Sequence, residues 1–197
     1  MDTETFSTRN RSTVFLHLAR EIRSRFDPRN IESVAAASDI VLVRSSGPEN
    51  REAGFAYIEY VRRPVFVESL SHPEEPIRVW GRSRLEPLRS IVLNTNSGIP
   101  EWEIFWHEYY HLFYSPQGLQ HGERFEHHYS TEGVLHSREE RRADEFAAAV
   151  LAPELVECGP KPNATAAEIA EEFDMSERLV QRAIALLSYS LQSPEGH

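Results

Sequence analysis

Residues 107–111 read His-Glu-Tyr-Tyr-His, and no other stretch limits the fold of this chain as tightly. On a helix, positions four apart stand one turn above each other on one face. Two imidazoles placed that way can hold one divalent cation. The glutamate between them is then positioned to take a proton from an attacking water. A pentapeptide with three fixed residues also arises by chance, and its ordinary alternative is a pair of hydrogen-bonded histidines. The rest of the chain must supply a helix, a third ligand and a pocket.

The helix is expected from Pro100 onward, where Glu101 and Glu103 suit the positive end of its dipole. At roughly 100° per residue, Trp102, Phe105, Trp106, Tyr109, Leu112 and Phe113 fall on one side. His107, His111 and Tyr114 fall on nearly the opposite side, with Ile104 beside them. The spacing predicts a core face and a face that presents two histidines. Pro116 and Gly118 end the helix. Residues 117–137 are polar, carry His121, His127, His128 and His136, and read as a loop. A second helix is predicted from about Arg138 to Leu151, ended by Pro153, with a stripe of Ala143, Phe146, Ala147, Val150 and Leu151. Glu139 and Glu140 both lie in the arc of that stripe. A buried carboxylate needs a partner, and a cation is the natural one.

Before the motif, residues 1–11 are expected to fray. A first amphipathic helix follows from Ser12, carrying Val14, Leu16, Leu18, Ile22 and Phe26. Asp27-Pro28 reads as the cap and first turn of a short helix ending near Ala37. Ile40–Val43, Phe55–Val61, Val65–Val67, Ile77–Trp80 and Ser90–Asn94 read as strands, separated by Pro, Gly or charge. Beyond the second helix, Pro153 to Asn163 reads as a connector. Thr165 and Glu168 have the form of a capping box, and Ser176 caps a further helix after the turn Asp174-Met175. Together these two segments have a helix-turn-helix pattern. Ser188 to His197 reads as a loose tail.

Composition adds exclusions. The 197 residues suit one domain with at most a small appendage. The polar start and the lack of a long apolar run argue against a signal peptide or a membrane span. Cys158 is the single cysteine, which excludes an internal disulfide framework and reads as a plain buried thiol. A soluble, cytoplasmic protein is expected. The net charge of −10 argues against a whole surface that binds nucleic acid. The terminal pair offers only Arg178 and Arg182 against Glu168, Glu171, Glu172, Asp174 and Glu177, so DNA binding there is weakly supported.

Three features occur in order: the His107–His111 motif, the stretch Glu140-Arg-Arg-Ala143-Asp144-Glu145-Phe146-Ala147 followed by Leu151 and Pro153, and the terminal helix pair. Together they resemble the ImmA/IrrE family of zinc peptidases, over roughly residues 90–190. The strand runs read as a small, mostly antiparallel sheet; the resemblance adds a helical zincin-like core and a C-terminal helix-turn-helix-like pair to an α+β fold. It divides the chain into a metallopeptidase domain (1–157), a helix-turn-helix-like element (158–190) and a tail (191–197). It makes His107, His111 and Glu140 the ligands of Zn²⁺, with Mn²⁺ as a second candidate, and Glu108 the general base. Glu139, and Glu132 at 21 residues beyond His111, are rivals to Glu140. The chain departs from the pattern at Tyr110, where many members carry a small residue, at Ser115, where many carry a further histidine, and in a longer stretch from Val65 to Arg84.

Two histidines and a carboxylate leave a fourth position for water, as in catalytic zinc sites. Tyr110, Tyr114, His127, His128 and His136 are candidate donors to a developing oxyanion. The resemblance implies a hydrolase, a metalloprotease of narrow specificity that cleaves a helix-turn-helix repressor. Transcription is thereby switched on in stress response, mobile elements or phage defence. The alternative is a non-catalytic, metal-stabilised regulator that binds DNA or a repressor.

Overall fold

The β-branched and aromatic runs that read as separate short strands join into two long ones. In the computed structural model, described over residues 3–46, 53–67, 77–114, 138–161 and 163–191, Phe55–Val61 and Val65–Val67 both belong to β2 (Gly54–Val67). Ile77–Trp80 and Ser90–Asn94 both belong to β3 (Ile77–Asn94). The two pair antiparallel from Gly54↔Leu93 to Val67↔Ile77, with a register shift at Pro64/Val65. Proline cannot donate to a ladder and so reads as a strand end, but an edge strand with a bulge accommodates it. Pro87 sits in β3 just before Arg89, where that strand gains its second neighbour.

That neighbour is β1 (Ile40–Ser45), which runs parallel to β3 from Ile40↔Arg89 to Ser45↔Asn94. The order is β1-β3-β2, so the sheet is mixed. With seven helices among the described residues the fold is α+β.

Helix α1 (Thr3–Arg25) starts well before Ser12. Its inner stripe is Phe15, Leu18, Ala19 and Ile22, with Phe26 just beyond, a regular three-four spacing. Val14, read as part of the apolar face, is 48% exposed. Helix α2 (Ile31–Ala37) is capped by Asn30, whose Oδ1 accepts from Ser33 N at 3.1 Å. The predicted cap at Asp27 instead accepts from Arg29 N at 3.0 Å and forms a turn.

The motif segment is helix α3 (Glu101–Phe113), followed in the described residues by α4 (Arg138–Leu151). α3 packs on β2 and β3 and also on α4. It is therefore not split into a core face and an open face. Phe105 and Trp106 are fully buried, and so are Ile104, His107, Glu108 and His111 on the other side. Trp106 Nε1 donates to the Pro28 carbonyl at 2.8 Å, which satisfies its polar edge inside the core.

The expected connector contains helix α5 (Pro153–Cys158), started by proline at its first turn and stopped by Gly159 at φ 80°. It buries Leu155 and Val156, while Cys158 is exposed, contrary to its reading as a buried thiol. Helix α6 (Ala166–Phe173) has the predicted capping box: Glu168 N donates to Thr165 Oγ1 at 3.2 Å, and Thr165 N to Glu168 Oε2 at 2.7 Å. Helix α7 (Glu177–Leu191) continues into the segment read as tail. Leu179, Val180, Ala183 and Leu186 of α7 join the same hydrophobic cluster as Trp106, Phe146 and Ile91. Among the described residues no helix is long and apolar enough to cross a membrane. The stretch 117–137, with His121, His127, His128, Glu132 and His136, lies outside the described residues, as do Ser115, Pro116 and Gly118.

Two positions tie α3 to its surroundings and give testable consequences. At Gly54 the strand passes so close to α3 that an added methyl would overlap Ile104 Cγ2 and lie 2.8 Å from the Val92 carbonyl oxygen. Both obstacles are rigid, one a β-branched side chain and one backbone. Gly54→Ala should therefore cost about 1–3 kcal/mol, the usual cost of overpacking, read as a lower urea midpoint. An unchanged midpoint would show that strand and helix separate freely.

Glu103, fully buried, accepts from the backbone N–H of Ser176, and from Ser176 Oγ at 2.7 Å. Ser176 Oγ in turn accepts from Leu179 N at 3.3 Å and caps α7. Burial raises the Glu103 carboxyl above its ordinary 4.5, against the lowering effect of the Ser176 hydrogen bonds. The folded protein thus holds this proton more tightly than the unfolded chain, and stability from this group falls as pH rises from 4.5 upward. Glu103→Gln does not titrate. Its stability relative to wild type should therefore improve with rising pH, measured by urea unfolding at several pH values. A difference independent of pH would count against the assignment.

Candidate metal centre

The register of two helices builds the centre. His107 and His111 stand one turn apart on α3, and Glu140 reaches them from the first turn of α4. His107 Nε2 lies 3.3 Å from His111 Nε2 and 3.2 Å from Glu140 Oε2. His111 Nε2 lies 3.3 Å from Glu140 Oε1. Ligand atoms about 2.0–2.1 Å from a tetrahedral zinc lie about 3.3 Å from one another, so the triangle has the dimensions the ion needs. The three residues are buried, their ligand atoms lie within 4.8 Å of one another, and the group could hold a metal ion. Of the two neighbouring carboxylates on α4, only Glu140 belongs to it. Glu139 Oε2 accepts from the Tyr110 hydroxyl at 3.3 Å, and its other oxygen pairs with Arg142.

Asp144 completes the surroundings. It lies one turn beyond Glu140 on α4 and is fully buried. Its Oδ1 is 2.9 Å from His107 Nδ1. A carboxylate there fixes the ring with Nδ1–H toward Asp144 and Nε2 toward the centre. The sequence reading does not name this partner. The four-residue step from Glu140 to Asp144 is the signal that could have found it.

The electrostatics follow from this crowding of acids. Burial by itself lowers the His107 pKa. The hydrogen bonds of Asp144 and Glu140, with the charges of Asp144 and Glu108, outweigh it and raise the ring from 6.5 to about 10. Burial pushes the Asp144 carboxyl up, but His107 and Arg178 hold it below its ordinary 3.8. A site that stabilises a proton so strongly also favours a divalent cation, which competes for the same nitrogen.

Glu108 is fully buried on the same helix. A methyl built on Gly54 would come within 3.8 Å of its Cγ, so the start of β2 lies against it. The other predicted donors fall elsewhere or outside the described residues. The Tyr110 hydroxyl is on Glu139, and burial and that carboxylate push it up to about 12. The Tyr110 ring packs between Phe15 and Phe146. The Tyr114 ring lies tilted against Phe146, centroids 5.1 Å apart, on the side where α1 meets α4. His127, His128 and His136 lie outside the described residues.

Compared with protein-family models, curated proteins and solved structures, the chain matches none.

Proposed function

We propose that this protein is a zinc-dependent endopeptidase of the ImmA/IrrE kind, with manganese as the second candidate metal. The observation that carries this is the buried triangle of His107, His111 and Glu140 on the same helix as Glu108. A purely structural metal site has no use for a base at that position. The metal, when bound, supplies a Lewis acid that polarises the scissile carbonyl and makes water acidic. His107, His111 and Glu140 bind it, and Asp144 orients the His107 ring. Glu108 takes the proton of the attacking water and delivers it to the leaving amine.

The substrate we infer from the resemblance is a partner repressor with a helix-turn-helix domain, cut at one site so that stress, mobile-element or phage-defence genes are expressed. The test is to incubate the protein with that repressor, with zinc or manganese and with a chelator, and to read cleavage by mass spectrometry. One cut that appears with metal and stops with chelator is expected. A repressor left intact in every condition sinks the peptidase. The non-catalytic alternative, in which Arg178 and Arg182 contact DNA, has less support: both arginines are within ion-pair distance of Asp144.

A further inference from the structure

The two cations of α7 sit on the far side of the carboxylate that orients His107. Arg178 Nη2 donates to Asp144 Oδ2 at 2.9 Å, and Arg182 Nε lies 3.6 Å from the same oxygen. The other oxygen, Oδ1, is the one at 2.9 Å from His107 Nδ1. Arg178 and Arg182 are one helical turn apart, so both reach the same oxygen from one face of α7. Asp144 itself is 0% exposed, whereas the arginine side chains are 27% and 31% exposed. Helix α7 packs on α4, and its start is fixed to α3 by Ser176 on Glu103. A chain of contacts therefore runs from the C-terminal helix through Asp144 to a histidine of the centre.

We propose that Arg178, supported by Arg182, is a positioning residue of the metal centre: it holds Asp144 in the rotamer that aims His107 Nε2 at the ion. This presupposes the metal site proposed above and extends it to the C-terminal helix. A buried carboxylate with one oxygen on an imidazole and nothing on the other would turn or take up a proton. The planar Arg178 guanidinium sets one donor on Oδ2, Arg182 adds a second cation 3.6 Å from the same oxygen, and together they remove that freedom. In this role α7 is a part of the centre, not a separate reading head. The pair of arginines that looked like the sole basic face of the terminal helices is directed inward.

The experiment measures zinc affinity by competition with a chromophoric chelator, and the absorption spectrum of the Co²⁺-loaded protein, for full-length wild type, Arg178→Gln, Arg178→Lys and Arg182→Gln. Circular dichroism reports the fold of each. Arg178→Gln should weaken zinc by about 10-fold or more, within the range seen when partners of ligating histidines are lost, and should shift the Co²⁺ bands. Arg182→Gln should do less, and Arg178→Lys should recover most of the affinity. Equal affinity and identical spectra in folded wild type and Arg178→Gln would overturn the positioning role and leave the metal site standing. Lower thermal stability with unchanged affinity and spectrum would also overturn it, because that is what a merely structural ion pair predicts. Absence of zinc from wild type would sink the metal site itself, and this role with it. Should Arg178→Gln not fold, Arg182→Gln decides: a folded Arg182→Gln with weaker zinc and shifted Co²⁺ bands supports the role, and one indistinguishable from wild type in affinity and spectrum counts against it.

Discussion

Glu140→Ala purifies without zinc, whereas Glu139→Ala keeps about one ion per chain: this is the expected result that separates two adjacent carboxylates by position alone. Glu140 spans both histidines, with Oε2 3.2 Å from His107 Nε2 and Oε1 3.3 Å from His111 Nε2. Its loss leaves two imidazoles, and the remaining pair cannot close a three-ligand site. The fall in affinity should exceed the roughly 10–100-fold cost of losing an outer partner. Glu139 points at a different problem. It accepts from the Tyr110 hydroxyl and pairs with Arg142. Its removal strips the hydroxyl of a buried tyrosine and a mostly buried guanidinium of their acceptor and should cost about 1–2 kcal/mol of stability, with metal content intact. Metal analysis of the two proteins, together with Glu132→Ala, checks the assignment. Zinc lost from Glu139→Ala or Glu132→Ala but kept by Glu140→Ala would reassign the third ligand.

The part of this site written in helical period was legible. A four-residue step put His107 over His111, and the stripe of α4 placed a glutamate on an inward arc. Period could not choose between Glu139 and Glu140, because both lie near the edge of that arc. The choice depends on how α3 and α4 cross, which is a tertiary quantity. Gly54 was silent for the same reason: nothing local marks the point where β2 runs against Ile104. The two-face reading of α3 put both histidines on one side, but period does not say how many layers cover a helix. α3 lies between a sheet and α4, so its polar side is buried as deeply as its apolar side. The scarcity of basic residues at the C-terminus argued against DNA binding but could not show where the two arginines go. Arg178 and Arg182 read as a weak basic face, yet their acceptor, Asp144, is 34 residues from Arg178 along the chain. The strands were divided by their prolines, since a local rule cannot see that Pro64 occupies an edge.

Glu108→Gln should retain zinc within a few-fold and lose cleavage of the repressor by about 10²–10⁴-fold, the range general acid–base catalysis supplies. The substitution keeps the volume, which matters at a fully buried position whose neighbour across the helix–strand contact is Gly54. Alanine there would confound loss of the base with a cavity. Glutamine removes only the proton acceptor and the charge. Because the Glu108 charge contributes to holding His107 in its charged form, a modest drop in affinity for a dication is expected as well. It must be measured on the same preparation, by metal analysis and chelator competition, before any loss of cutting is attributed to chemistry. Three outcomes are then distinct. Zinc kept and cleavage lost assigns the proton transfer to Glu108. Zinc and cleavage lost together makes Glu108 a residue that organises the site. Cleavage at the wild-type rate removes the peptidase mechanism. If the repressor is also silenced in cells by the uncut, zinc-loaded Glu108→Gln protein, the metal centre serves binding alone and the non-catalytic regulator takes its place.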